Sequence, residues 1–298
     1  MDVTLEQLRT LAAVVDEGTF ERAAHVLGVT PSAVSQRVKA LESQVGRVLL
    51  TRSKPVRTTA PGDLVLRLAR VSTRLAADTA NELGIADAGT GFTTLPIAVN
   101  RDSLNTWFLP ALARMPARHR VCFDLHTDDQ EYSDRLFARE AVLAAVTAVA
   151  EPVPGCSVTR LGSMRYLPMA SVDFVDTYLR DGAVGLRRAP VVQFDRKDSL
   201  QDGFLERVFG QEYLRGRVRP PAHHVPSSAD FRRAVELGLG WGMIPELQLG
   251  EPAAALVSLD PNAFLDVELY WQCWNVGSTA LNALGEVVVR TAAELLRP

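Results

Sequence analysis

The sequence predicts a multidomain chain: a small α-helical head, one long helix, and an α/β remainder of about 200 residues. Three observations predict it. The stretch "RAAHVLGVTPSAVSQRVKALE", Arg22 to Glu42, has the grammar of helix, tight turn, helix. After Pro61 the apolar residues repeat at the spacing of a coiled-coil seam. From Thr93 onward, short apolar runs alternate with helical periods, the pattern of an α/β sheet with crossover helices. At 298 residues with 47% hydrophobic content, the chain is long enough for two or three packed domains.

The head reads as follows. Leu5, Leu8, Leu11, Ala12 and Val15 mark a first helix at helical spacing, and Thr19 to Leu27 form the second. Gly28 suits the left-handed position past a helix end, Thr30 caps the third helix, and Pro31 fits its first turn. That helix runs from Thr30 to Val45. At about 100° per residue, Val34, Val38, Leu41 and Val45 fall on one stripe. Ser32, Gln36, Lys39 and Ser43 fall opposite, with Ser35 and Arg37 on the rims. Hydroxyls and amides bond base edges, while Lys and Arg bond phosphates or guanine. An ordinary solvated face carries both signs and i,i+4 pairs; this one carries no acid until Glu42.

The next segment agrees. "GRVLLTRSKPVRTTAPG", Gly46 to Gly62, reads as a short strand, a turn at Ser53–Pro55 and a return strand. Thr30 to Ala60 hold six Lys or Arg and one acid, a local charge of +5 on a chain of net charge −3. That is a local footprint for nucleic acid.

From Phe20 to Arg52 the chain resembles the winged helix-turn-helix of LysR-type transcriptional regulators. The Ala23-Ala24 pair, the Pro-Ser-Ala-Val-Ser-Gln entry to the third helix and the Leu41-Glu42 exit carry the resemblance. It implies a head over residues 1–60 that binds double-stranded promoter DNA. The residues expected to face DNA are Thr30, Ser32, Ser35, Gln36, Arg37, Lys39, Arg52, Lys54 and Arg57.

Residues 61–90 are expected to form a dimerisation helix and hinge, with Leu64, Leu68, Val71 and Leu75 as the seam and "GIADAGTG" as the hinge. The family layout then implies an effector domain over residues 91–298: two α/β subdomains of periplasmic-binding-protein type, joined by crossing strands around a ligand cleft. Expected strands include "TTLPIAVN", "RVCFDLHT", "AVLAAVTA", "APVVQFD", "WGMIP" and "LDVELYWQCWNV". Expected helices include "SLNTWFLPALARM", "EYSDRLFARE", Ser199–Phe209, Ala229–Leu237 and Thr279–Leu296.

Ligands of open α/β sheets bind beyond the carboxyl ends of the strands. That rule selects Asn100, Asp102 and Ser103, with Ser103 as a candidate helix cap, then Asp128 and Asp129, Thr147, Phe194 and Asp195, and Ser227 with Ser228. Helix starts suit a carboxylate and Asp suits a cation, a pair of demands met by a basic amino acid. "IAVNRDSLNTWFLPAL", "APVVQFD" and "GMIP" resemble the subgroup of regulators that includes ArgP and LysG. That resemblance implies sensing of lysine, arginine or histidine and activation of a basic amino-acid exporter gene. "HTDDQEYSD", Tyr166 and Trp241 follow the subgroup pattern only loosely.

Other classes find less support. Ser227 beside His223 and His224 is too local for a catalytic triad, and "GLGWG" lacks dinucleotide-loop spacing. No enzymatic activity, cofactor or metal is expected. A purely architectural DNA binder has no use for a large two-lobed α/β domain. The amino terminus has no signal-peptide pattern, and the longest apolar run is too short for a bilayer. Cys122, Cys156 and Cys273 read as reduced thiols in a cytoplasmic protein. The family layout also implies homodimers or homotetramers and contact with RNA polymerase.

Overall fold

The computed structural model describes residues 3–51, 53–82, 92–127, 142–250, 256–275 and 277–298. Arg52, Asp128 and Asp129, the hinge segment 84–91 and the expected helix at 131–140 lie outside the described residues.

The head is built by local signals. Helix α1, Leu5–Glu17, opens on a capping box between Thr4 and Gln7, and α2, Phe20–Leu27, opens on Thr19. Gly28 takes φ 64°, where a side chain is disfavoured, and its N–H returns to the carbonyls of Ala24 and His25. Helix α3, Pro31–Val45, opens on Thr30, whose Oγ1 accepts the N–H of Ala33 at 3.2 Å. Leu8, Leu11, Ala23, Ala24, Val34, Val38 and Leu41 form the core, and small residues at 23 and 24 let the three helices approach closely. The wing is β1, Leu50–Thr51, antiparallel to β2, Arg57–Thr58.

Helix α4, Ala60–Glu82, then packs back on α1 through Val65, Leu66 and Ala69. Gly62 permits this return: a Cβ there would lie 1.9 Å from the Leu49 carbonyl oxygen. The opposite face of α4 carries Leu64, Leu68 and Leu75, exposed at 62, 39 and 47%. Val71, at the edge of the same stripe, packs against the effector-domain core of its own chain, and Arg67 stacks on Trp274 at 4.8 Å.

The effector domain centres on one mixed sheet of order β10-β6-β11-β5-β3-β4, with β9 also on β6. Its strands are β3 (Thr93–Val99), β4 (Val121–Thr127), β5 (Ala144–Thr147), β6 (Cys156–Ser171), β9 (Gly242–Pro245), β10 (Leu256–Ser258) and β11 (Leu265–Trp274). A separate pair, β7 (Val191–Gln193) and β8 (Ala222–His224), is parallel. The expectation of parallel sheets holds for β3 with β4 and β5; β11 runs antiparallel to both β5 and β6. The sheet is mixed because β6 and β11 cross between two subdomains. β6 pairs with β11 along its first part and with β9 and β10 at its end.

Helical segments cover the strands. α5 runs through Arg101–Ser103, a π-helical turn at Leu104–Phe108 and Leu109–Ala113. The turn carries Trp107 and Phe108, both wholly buried, into the first subdomain with Leu284 and Val288 of α10, Thr279–Leu295. The second subdomain holds α6 (Val172–Tyr178), α7 (Leu200–Phe209), α8 (Gln211–Leu214) and α9 (Ser228–Glu236). Its own apolar cluster joins Met169, Val192, Phe231, Ala234, Val235 and Ile244. No described helix is long and apolar enough to cross a membrane.

Candidate nucleic-acid face and effector cleft

On α3, Ser32, Gln36, Lys39 and Ser43 are exposed, directly opposite buried Val34, Val38 and Leu41. Glu42 does not spoil this face. Its Oε1 accepts the N–H groups of Leu49 and Leu50 at 2.8 and 3.3 Å, so the acid pins the wing instead. Arg37 pairs with Glu6 of α1 at 2.5 Å, which ties the third helix to the first. Thr30 spends its hydroxyl as the α3 cap, and Ser35 is half-buried. Lys54 and Arg57 stand exposed on the wing, and Arg47 is exposed just before it.

If Gln36 reads bases and Arg57 anchors phosphate, substitutions at the two positions should differ in kind. Gln36→Ala should relax sequence preference and cost roughly 1–3 kcal/mol at its base pair. Arg57→Ala should weaken specific and random DNA alike and reduce the salt slope by about 1. Binding isotherms on operator and scrambled duplexes at several salt concentrations distinguish the two; equal losses on every sequence for both variants would remove the distinction.

Between the two subdomains lies a cavity of about 140 Å³. One water needs roughly 10–15 Å³ by a comparable measure, so the cavity accepts a solute on the order of ten heavy atoms. Of the residues expected there, Asn100, Asp102, Phe194, Asp195 and Ser228 line it. Ser103, Thr147 and Ser227 are not among the lining residues. Thr147 is buried, and its Oγ1 accepts the N–H of Val149. Ser227 caps α9 by accepting the N–H of Asp230. Asn100, rather than Ser103, caps α5: its Oδ1 accepts the Ser103 N–H at 3.1 Å. The cap falls there because β3 ends at Val99 and the helix begins at Arg101, two residues before the expected start at Ser103.

Sequence reasoning missed Arg101, Lys197, Asp198, Ser199 and Gln248 in the lining. The spacing "DRKDS" after β7 held the only available signal, a second acid three residues beyond Asp195.

Polar chemistry converges on Asp102. Its Oδ2 accepts the Tyr166 hydroxyl at 2.8 Å, and its Oδ1 accepts the Ser228 hydroxyl at 2.5 Å. Gln248 Nε2 donates in turn to Ser228 Oγ at 2.8 Å. A carboxylate of the first subdomain is therefore held by hydroxyls of the crossing strand and the second subdomain. Asp195 Oδ1 accepts the N–H groups of Lys197 and Asp198. Asp198 accepts those of Phe194 at 2.8 Å and Leu200 at 3.2 Å. Burial pushes the Asp198 carboxyl above its ordinary range; those backbone bonds oppose the rise and the nearby Asp102 charge adds to it. Beside these acids, Asn100 Nδ2 and Ser103 Oγ are buried without a hydrogen-bond partner among the described residues.

Elsewhere the chemistry is quiet. Among the described residues no cluster of His, Cys, Asp or Glu is arranged to hold a metal. All three cysteines are free, and burial pushes the Cys156 and Cys273 thiols up to about 12.

The comparisons with known proteins agree in kind. Residues 5–63 match the model of the bacterial regulatory helix-turn-helix protein, lysR family, and residues 89–293 match the LysR substrate binding domain. The chain is 40% identical over 301 residues to the lysine export transcriptional regulatory protein LysG of Corynebacterium glutamicum, covering 98% of this chain and 99% of that one. Among solved structures it is similar to ArgP from Mycobacterium tuberculosis, at 41% identity and TM-score 0.84 over 98% of each chain. It is also similar to full-length LysG from Corynebacterium glutamicum with bound effector Arg, at 40% identity and TM-score 0.78, over 99% of this chain and 100% of that one.

Proposed function

The chain belongs to the LysR family of transcriptional regulators, and on that premise we propose that it senses a basic amino acid, lysine or arginine first and histidine after them, and activates the gene of a basic amino-acid exporter. The observation that carries this reading is the cleft itself. Asp102, Asp195 and Asp198 line a space the size of an amino acid, together with Asn100, whose Nδ2 is unpartnered among the described residues. Acids receive a side-chain cation, and donors at a helix start receive a carboxylate. The bound Arg of the LysG relative and the lysine-export role in that relative's name point the same way.

The mechanism follows from the parts. A dimer forms through the exposed stripe of α4, and effector-domain contacts pair dimers into tetramers. Two α3 helices enter successive major grooves of a dyad-like site, and the wing cations grip phosphate. The amino acid joins the two subdomains and favours one placement of the dimers over another, which alters DNA bending and contact with RNA polymerase. Such a switch requires different effector affinities for the two placements. Affinity in the micromolar to millimolar range, roughly 4–8 kcal/mol, fits sensing of a metabolite pool. Residues 1–60, 61–90 and 91–298 act as DNA-binding head, dimer helix with hinge, and effector domain.

Footprinting upstream of a divergently oriented exporter gene, with a panel of amino acids, tests this reading. A footprint that changes with lysine or arginine and not with neutral amino acids is the expected result. A footprint indifferent to all of them would leave the regulator and remove its effector class.

A further inference from the structure

This inference rests on the basic amino-acid reading and concerns what already stands in the cleft. Arg101 follows the end of β3 in the first subdomain, and Phe194 follows the end of β7 in the second. Both line the cavity. The Arg101 Cζ lies 4.5 Å from the centre of the Phe194 ring, so a guanidinium rests on an aromatic face across the cleft. The ring is held in place. Its backbone N–H donates to Asp198, and it packs on the apolar cluster of Val192, Phe231 and Ile244. Asp195 and Asp198 border the same wall. A fixed aromatic face beside two carboxylates is the best seat in this cleft for a ligand's guanidinium or ammonium. Asn100, also on the lining, carries an unpartnered Nδ2 that can donate to a ligand carboxylate.

We propose that Arg101 is a built-in occupant of this cation seat, which bridges the two subdomains through the Phe194 ring and sets the effector threshold by competing with the side chain of the basic amino acid. Two cations do not share one ring face without mutual repulsion. Entry of the effector therefore displaces Arg101 toward solvent and replaces a bond within the chain by one to the ligand. Arg101 lowers effector affinity, and the cleft responds only when the amino acid is abundant.

Calorimetry of L-arginine and L-lysine binding to the full chain tests this, with hydrogen–deuterium exchange measured in the absence of either. Arg101→Met keeps the length of the stem and removes the cation; Arg101→Ala removes both. In both variants arginine affinity should rise roughly 2- to 30-fold, the worth of one partly desolvated cation–π contact, and exchange at residues 194–200 should quicken without ligand. Weaker or unchanged arginine binding in the variants overturns the proposal and leaves the basic amino-acid reading standing, because the wild type still binds. Unchanged exchange overturns it as well, since no bridge then holds the segment. No binding of either amino acid to wild type or variants overturns both readings together.

Discussion

Leu68→Lys should halve the solution mass of the protein and weaken operator binding roughly 10²–10⁴-fold, the advantage lost when two linked half-site contacts become independent. The reasoning begins with the two faces of α4. Val65, Leu66 and Ala69 are spent on the head, at 6, 0 and 0% exposure, while Leu64, Leu68 and Leu75 of the same helix stand in solvent. Those three fall within about 40° of arc, narrow enough for a coiled-coil seam and too regular for scattered surface leucines. Arg67 on Trp274 and Val71 on the effector core flank the stripe on one side, and the head flanks it on the other. The remaining strip is the surface through which the proposed dimer would pair. A lysine at position 68 costs the monomer little, because the side chain is already 39% exposed, but it places a charge inside the paired seam. Sedimentation with an operator-binding isotherm reads both effects. An unchanged mass with intact binding would mean that the stripe is not the dimer contact.

The head was legible because its signals are local. The cap at Thr30, the glycine at 28 and the period of Val34, Val38 and Leu41 each act within one turn of the chain, and the observed helices follow them. What local pattern hides is partnership. Nothing near Arg37 says that Glu6 pairs with it, and nothing near Glu42 says that it turns to the wing.

In the effector domain the longest strand, β6, went unread. Its residues alternate only at the start; from Leu161 onward both faces are largely buried as it crosses between subdomains, and Gly162 and Pro168 mimic breaks. A strand covered on both sides loses the two-residue period that marks a strand. The cleft was half legible for a related reason. Strand ends can be counted, so Asn100, Asp102 and Phe194 were found. The way the loop after β7 folds over them is set by Asp195 and Asp198 taking backbone N–H groups, and that is tertiary information.

Norleucine should bind far more weakly than lysine, by roughly 2–5 kcal/mol, the usual consequence of removing one partner from a desolvated charge pair. Norleucine keeps the α-amino and α-carboxylate groups and most of the stem, so only the terminal cation is tested. Three fixed carboxylates are the counter-charges that the proposed reading offers that cation. Asp102, on the first subdomain, is fixed by the hydroxyls of Tyr166 and Ser228, and Asp195 and Asp198, on the second, are fixed by backbone N–H groups. A buried ammonium without a counter-charge is costly, so at least one of Asp102 and Asp195 should pair with it, and Asp102→Asn or Asp195→Asn should reproduce the norleucine loss with lysine itself. The pH dependence has a definite sign. Burial and the Asp102 charge hold Asp198 above its ordinary range, and protonation removes negative charge from the cleft, so lysine affinity should rise with pH through that raised range and fall on the acid side of it. The effect should vanish in Asp198→Asn and should be small for norleucine. Calorimetry of the full chain with both ligands across pH reads all of this. Equal affinity for lysine and norleucine would remove the cation site altogether, while a lysine preference that survives every Asp→Asn change would move the counter-charge to a residue outside this trio.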